Sequence, residues 1–212
     1  MRLRLVLGAC LTSAMSLSTD VAALENASAL ENDREVSYPP ASVAADCSED
    51  VSAALQRWLR SRPHDSEARL RSRGCYRVET EILVRGKDGL TLNGQGALLK
   101  RTQYTPPERR YPNANAVLRL VNFTKSVVTD LRIRATNTRP DLIYLGPNVG
   151  SYRQEVEFDH GLAIHGAVRT RISDVRIRSV WGDGIYVAGG DQHTSRWSRR
   201  VTLRDIFVRQ NG

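Results

Sequence analysis

Two short segments each place a possible acid/base side chain just before an apolar run. His160 lies two residues before the run at 162–164, and Asp183 lies two residues before the run at 185–187. If the runs are stacked parallel strands, the two backbones lie about 5 Å apart, where an imidazole and a carboxylate can exchange protons. Asp159 adds a second carboxylate beside His160. The sequence therefore predicts an acid/base site of Asp183, His160 and Asp159.

The same segments also fit a purely structural role. Gly182-Asp183-Gly184 and Asp159-His160-Gly161 have compositions that bend a chain. His165 follows its apolar run and precedes a glycine, which favours a turn, and His64 lies in a charged loop, where we expect no chemical role. A turn without chemistry remains the alternative for all of these positions.

A column of residues at the centres of the apolar runs predicts a binding platform. Its members, if the runs stack, are Arg119, Tyr144, Ala163 and Tyr186. A tyrosine ring suits a sugar ring and a guanidinium binds carboxylates in a forked geometry. Arg119, Tyr144 and Tyr186 are therefore predicted to bind substrate, together with His193 from a loop after residue 188. Ordinary exposed strand formers are the alternative.

The charge of the chain points to an acidic partner. The net charge is +8, but residues 51–212 carry 28 basic and 15 acidic side chains, a surplus of +13. A second outward column, Arg132, Glu157 and Arg176, is expected to form a charge ladder of alternating sign. Because 28 of the 31 basic residues are arginine, the base composition of the genome remains an alternative explanation for the skew.

The scaffold for these residues is a repeat of short apolar runs. One series begins at residues 118, 143, 162 and 185, and a second begins at residues 131, 156, 175 and 206. The second series trails the first by 13, 13, 13 and 21 residues, so the two move together and about eight residues are inserted after residue 187. Two strands per repeat of about 22 residues, without a helix between them, predict a β-solenoid with parallel strands. The runs at 82–84 and 90–92 begin it.

A helix is expected to cover the N-terminal edge of this solenoid. Apolar residues at helical spacing run from Val51 to Leu59, Asp46 or Ser48 can cap the start, and Pro63 stops the helix. No apolar run approaches the roughly 20 residues of a membrane span. No metal site is predicted, and the sequence does not identify whether a cofactor is used.

The first 23 residues are typical of a secretory signal peptide. Two arginines precede an apolar stretch, and small residues occupy positions 21–23. This predicts a secreted or periplasmic protein, with a lipid anchor on Cys10 as the alternative. Removal of the signal leaves Cys47 and Cys75, which an oxidising compartment would join in a disulfide. Two unpaired buried thiols are the alternative.

The remaining sequence divides into two parts. Residues 24–45 are predicted to be a flexible leader, and residues 46–212 to be the folded domain, with a cap over 46–75 and coils over 76–212. The last run stops within a turn, so we expect an incomplete domain whose last coil is covered by a missing C-terminal part or by a partner chain.

Several of these stretches resemble one superfamily. They are Asp50–Leu55, Gly74–Val78, Gly89–Gly96, Ile172–Ile177 and Gly182–Ile185. Together they are similar to the right-handed parallel β-helix superfamily that includes pectate lyases and polygalacturonases, over about residues 46–212. The resemblance implies an all-β, right-handed parallel β-helix with an N-terminal capping helix.

The resemblance also implies a class of function. It implies an exported, carbohydrate-active protein that acts on or binds an acidic polysaccharide, of lyase, hydrolase or epimerase type. The polygalacturonase pattern of Asn-Thr-Asp, Gly-Asp-Asp and Gly-His-Gly motifs is reduced in this chain to Gly182-Asp183-Gly184, and no acidic cluster matches the pectate lyase calcium site. A non-catalytic scaffold, or an inactive piece of a longer enzyme, is therefore the alternative function. A nucleic-acid partner is not expected, since no recognition helix or clustered basic run occurs.

Overall fold

The computed structural model describes residues 34–103, 115–137 and 159–209. This part of the chain is mostly β structure, with one helix, α1 (Ser52–Arg60). Its strands are β1 (Val36–Ser37), β2 (Asp46–Asp50), β3 (Glu67–Arg69), β4 (Cys75–Arg77), β5 (Ile82–Arg85), β6 (Thr91–Lys100), β7 (Leu118–Val121), β8 (Val127–Arg134), β9 (Leu162–His165), β10 (Arg171–Arg178), β11 (Ile185–Ala188), β12 (Thr202–Arg204) and β13 (Phe207–Arg209). The predicted signal peptide and Cys10 lie outside the described residues.

The strands form two parallel sheets that the chain visits in turn. Sheet B has the order β5-β7-β9-β11, and sheet A contains the other nine strands, with β6, β8 and β10 at its centre. From β5 to β12 the chain alternates between the sheets, and each strand pairs in parallel with the next strand of its own sheet. The last strand, β13, also belongs to sheet A and pairs with β10. A side chain on one strand therefore stands beside the equivalent side chain of the next.

The register of sheet B confirms one predicted step and corrects another. Leu162 is aligned with Ile185, as the repeat predicts. Leu118, however, is aligned directly with Leu162, and Leu131 with Val175, so no further strand fits between these pairs. The prediction of a regular coil of about 22 residues at every step was wrong.

The corrected register also changes the two predicted columns. Because β8 and β10 are neighbours, Arg132 is aligned with Arg176, and Glu157 cannot separate them. The predicted ladder of alternating sign was therefore wrong. Likewise, Ala163 is the direct neighbour of Arg119, and Tyr144 does not lie between them. Tyr144 and Glu157 themselves lie outside the described residues.

The long strands of sheet A each bend at an equivalent position. Asp130 of β8 and Asp174 of β10 have φ values of 50° and 55°, and Asp205, between β12 and β13, has 52°. Aspartate tolerates this left-handed conformation better than most residues do. In β6 the same bend follows Gly94, where an added Cβ would lie 2.3 Å from the carbonyl oxygen of Asp130, so only glycine fits.

Alternate side chains of the strands fill the core. In sheet A, aligned positions such as Leu92, Val128 and Ile172 are buried, whereas Arg132, Arg134, Arg176 and Arg178 are exposed. One apolar cluster runs from α1 through the stacked strands. The two sheets thus expose two outer faces on which charged side chains stand in register.

The helix begins later than predicted. Asp46 and Ser48 lie in β2, and the carboxylate of Asp50 accepts a hydrogen bond of 3.0 Å from the Ser52 N–H. The buried residues of α1 include Leu55 and Trp58. A short polar strand thus occupies the positions from which a helix cap was expected.

The predicted leader does not extend to residue 45. Val36–Ser37 pairs in parallel with β3, and Val43 is buried in the core. Cys47 and Cys75 form a disulfide, with their Cα atoms 5.0 Å apart, that ties β2 to β4. Strand β1 and Val43 thus belong to the fold, although both precede the predicted start at residue 46.

Within the described residues, no helix is long and apolar enough to cross a bilayer.

Candidate functional site

The candidate site lies on sheet B and is centred on Arg119. The register aligns Leu83, Arg119, Ala163 and Tyr186 on successive strands. Arg119 is only 1% exposed, so it does not form part of an open platform as the sequence suggested. A guanidinium at this depth requires hydrogen-bond acceptors around it.

Three side chains supply acceptors to Arg119. Its Nε donates to Oε2 of Glu81 at 2.8 Å. Its Nη1 lies 2.9 Å from Nε2 of His165 and 3.1 Å from Nε2 of His193. A guanidinium has only donors, so both Nε2 atoms accept and both imidazoles are neutral, with their protons on Nδ1. Glu81 Oε2 also accepts the Ala116 N–H at 3.0 Å.

Asp191 connects the two histidines from the opposite side. Its Oδ2 lies 2.8 Å from Nδ1 of His165, which donates its proton, and its Oδ1 accepts the His193 N–H at 2.8 Å. Arg85 in β5 donates to the backbone carbonyl of His193 at 3.0 Å. The loop after β11 is thereby fixed with His193 over Arg119.

The electrostatics of the cluster keep the imidazoles neutral. Burial lowers the pKa of His165, partly opposed by its hydrogen bond to Asp191. Burial and the Arg119 charge lower the pKa of His193 to about 4. Burial alone would raise the pKa of Asp191, but the hydrogen bonds from His193 N–H and His165 outweigh it and the net shift is downward. Burial raises the pKa of Glu81, against the pull of Arg119.

The structure brings His160 and Asp183 together, as the repeat suggested. Nδ1 of His160 accepts a hydrogen bond of 3.1 Å from the Asp183 N–H and lies 3.7 Å from its Oδ2. The Tyr186 ring stacks on His160 at 4.5 Å between centroids. Burial lowers the pKa of His160 to about 3, so the ring is neutral at physiological pH. The Asp183 side chain is 61% exposed.

Asp159 belongs to a different set of contacts. It is buried, and burial raises its pKa to about 6, with Arg101 acting in the opposite direction. Arg101 is also buried and donates to the carbonyls of Asn115 and Ala116 at 2.9 Å and 3.1 Å. Asp159 therefore compensates a buried cation, whereas Asp183 faces solvent.

Sequence reasoning assigned His165 to a turn and did not select Glu81 or Arg101. It followed only the second residue of each strand in sheet B, although the fourth residue points to the same side. The fourth positions are Arg85, Val121, His165 and Ala188, aligned in register. Tracing this second column would have placed His165 next to the Arg119 column.

No protein family matches the chain, and no curated protein or solved structure is significantly similar to it. Among the residues that the structure describes, no three histidine, cysteine or acidic side chains are grouped to hold a metal ion.

Proposed function

We propose that this chain is an exported right-handed parallel β-helix that binds an acidic polysaccharide on the outer face of sheet B and processes it by acid/base chemistry. The observation that carries this proposal is Arg119, a buried cation enclosed by Glu81, His165 and His193. Aligned strand positions hold Leu83 and Ala163, so the sheet itself does not need an arginine there. Groups with shifted pKa values gathered around one charge are typical of functional sites.

The β-helix part of the proposal is supported by the topology. Strands of two sheets alternate along the chain, pair in parallel and carry bends at equivalent positions. Parallel pairing of every successive strand without crossover helices is the arrangement expected of a β-solenoid.

The accessible residues suggest a division of roles. Tyr186 and His193 lie partly exposed near Arg119 and offer ring faces and polar tips to sugars. Arg119 is 1% exposed and paired with Glu81, so it holds His165 and His193 in place instead of touching the polymer. Asp183 is the acid/base group, and His160 positions it through the hydrogen bond to its N–H. Asp159 is too buried to touch a polymer, so we assign it a positioning role through Arg101.

A non-catalytic binding scaffold is the second candidate. It is favoured because both ring nitrogens of His165 and Nδ1 of His160 are already engaged, and burial lowers the pKa of both rings. Imidazoles held in this way contribute shape and hydrogen bonds, and they do not exchange protons readily near neutral pH.

Product analysis distinguishes the two candidates. The purified chain is incubated with polygalacturonate and with alginate, and unsaturated ends and new reducing ends are measured. We expect product from the unmodified chain, a loss of at least ~100-fold for Asp183→Asn, and no change for Asp65→Asn, an exposed aspartate of the loop between α1 and β3. Binding without product supports the scaffold, and the absence of both would refute the proposed function.

A further inference from the structure

The outer face of sheet A carries a second charged surface that the sheet B site does not use. Lys100, Arg134 and Arg178 are aligned on three successive strands, and Arg132 is aligned with Arg176 beside them. We call these five residues the basic ladder. Arg77 and Arg209 continue the first row in register at its two ends.

Nothing in the described part of the chain neutralises this ladder. Arg77 lies 3.5 Å from Glu79, but no described carboxylate lies within ion-pair distance of the five ladder residues. Neighbouring strands are about 4.8 Å apart, and like charges directly opposite each other on a sheet are destabilising. The ladder therefore has an energetic cost that the fold does not require.

The ladder encloses a groove of one sign. A cavity of about 300 Å³ is lined by Arg132, Arg134, Arg176 and Arg178, with no acidic side chain in its lining. A neighbouring cavity of about 910 Å³ shares Arg132, Arg176 and Arg178 with it and also reaches Asp130, Asp174 and Asp205 at the bends. The carboxylates lie only on that side, so an anion is favoured on the Arg134 side of the groove.

We propose that the basic ladder binds an extended polyuronate that runs across the strands of sheet A, with successive carboxylates on successive rungs. A guanidinium suits a carboxylate because it offers two parallel donors. This proposal does not depend on catalysis on sheet B, because the basic ladder contains none of the residues of that site.

A single-stranded nucleic acid fits this surface less well. Single-strand sites rely on exposed aromatic platforms on which bases stack. The one described aromatic side chain at this groove, Phe207, has the Arg178 guanidinium over its ring at 5.3 Å. The geometry therefore favours a polyuronate over a nucleic acid.

A charge-matched pair of double variants tests the ladder. Arg134→Gln with Arg176→Gln removes two rungs, and Arg171→Gln with Arg200→Gln removes two exposed arginines outside it. Affinity for polygalacturonate, alginate and poly(dT) is measured by titration calorimetry at several salt concentrations. We expect the ladder variant to bind the polyuronates at least ~10-fold more weakly, with a shallower salt dependence, and the control to change less than ~2-fold.

Three results would overturn the proposal. They are equal weakening in both double variants, unchanged binding in the ladder variant, and ladder-dependent binding of poly(dT) that is tighter than that of both polyuronates. Thermal denaturation checks that the ladder variant is folded, and we expect its stability to be equal to or above that of the unmodified chain. The Asp183→Asn variant separates this proposal from the proposed function, since it should lose product formation and keep the ladder-dependent binding.

Discussion

The arginines of the two sheets differ in burial and in the partners around them. Arg119 on sheet B is 1% exposed and has acceptors from Glu81, His165 and His193. Arg134 and Arg176 on sheet A are exposed and have no described carboxylate within ion-pair distance. One residue type therefore organises a buried network in one place and offers an unneutralised surface in the other.

The difference shows that position on a strand does not decide the role of an outward residue. Arg119 is at an outward position, yet His193 lies against it on a loop that Arg85 holds by a hydrogen bond, so its charge acts inside a region of low dielectric. The ladder residues lack such a cover and act through water. Four measurements test this contrast, from the largest expected effect to the smallest.

Replacing Arg119 should have the largest effect. We expect Arg119→Met to lower the free energy of unfolding by about 3–5 kcal/mol, because it leaves the Glu81 carboxylate largely buried without its cation. Urea denaturation at pH 7 measures the loss. Adding Glu81→Gln should restore part of it. A loss below about 1 kcal/mol would show that Arg119 is not the organising charge of sheet B.

The second largest effect should be the pH dependence of the free energy of unfolding that arises from His160. Its pKa in the folded state is about 3, below the ordinary 6.5, so the unfolded chain binds more protons and stability falls as the pH drops from about 6.5 towards 3. From pH 7 to pH 5 this group should contribute a loss of about 2 kcal/mol.

The pKa of Asp159 is shifted upward, so its effect on the pH dependence of stability opposes that of His160. The two effects must therefore be separated. Its folded pKa of about 6 lies above the ordinary 3.8, and its contribution falls as pH rises from about 3.8 through 6. His160→Asn keeps an acceptor for the Asp183 N–H and should remove only the histidine effect, leaving a variant that is more stable at pH 5 relative to pH 7 than the unmodified chain. Unchanged pH dependence would contradict the low pKa of His160.

Removing one rung of the ladder should stabilise the fold slightly. We expect Arg134→Gln to raise the free energy of unfolding by about 0.2–1 kcal/mol, because it relieves repulsion from Lys100 and Arg178. Arg171→Gln, at the other end of the same strand pairing, has Val127 and Thr202 as its neighbours and should leave stability unchanged. Destabilisation by Arg134→Gln alone would mean that the ladder has a structural role.

A change in salt concentration should have the smallest effect on the free energy of unfolding. It should act on the charges of sheet A and hardly at all on those of sheet B. Raising the ionic strength from about 0.05 M to 1 M shortens the screening length to about 3 Å, which removes the repulsion between rungs. The unmodified chain should gain a few tenths of a kcal/mol over Arg134→Gln, as measured by urea denaturation at both salt concentrations. The loss in the free energy of unfolding caused by Arg119→Met should hardly change with salt, because the replaced side chain is buried.

The sequence predicted those features that depend on uninterrupted spacing. The offset of 23 residues from Leu162 to Ile185 predicted the correct register and hence the approach of His160 to Asp183. The step from Leu118 to Leu162 was misjudged because apolar runs at 143–145 and 156–158 have the same pattern as strands. Pattern alone does not establish that an apolar run is a strand of the sheet.

The centre of the site could not be predicted for a related reason. His165 and Glu81 sit at strand ends, where sequence favours a turn, and their importance comes from a guanidinium on another strand. Contacts of this kind depend on side-chain reach and on a loop conformation, neither of which appears in periodicity. The helix cap expected at Asp46 or Ser48 failed similarly, because pairing with β4 made that segment a strand.

The register of sheet B also bears on how this protein can change over evolutionary time. The aligned residues of successive strands are separated by very different lengths of chain, yet all of them are in register. They are Ile82, Leu118, Leu162 and Ile185. Doubling the length of a flexible connection costs only about 0.6 kcal/mol in closure entropy. Segments between these strands can therefore be lengthened, exchanged or grafted with little effect on the sheet. The scaffold thus tolerates new surfaces at a small cost in free energy.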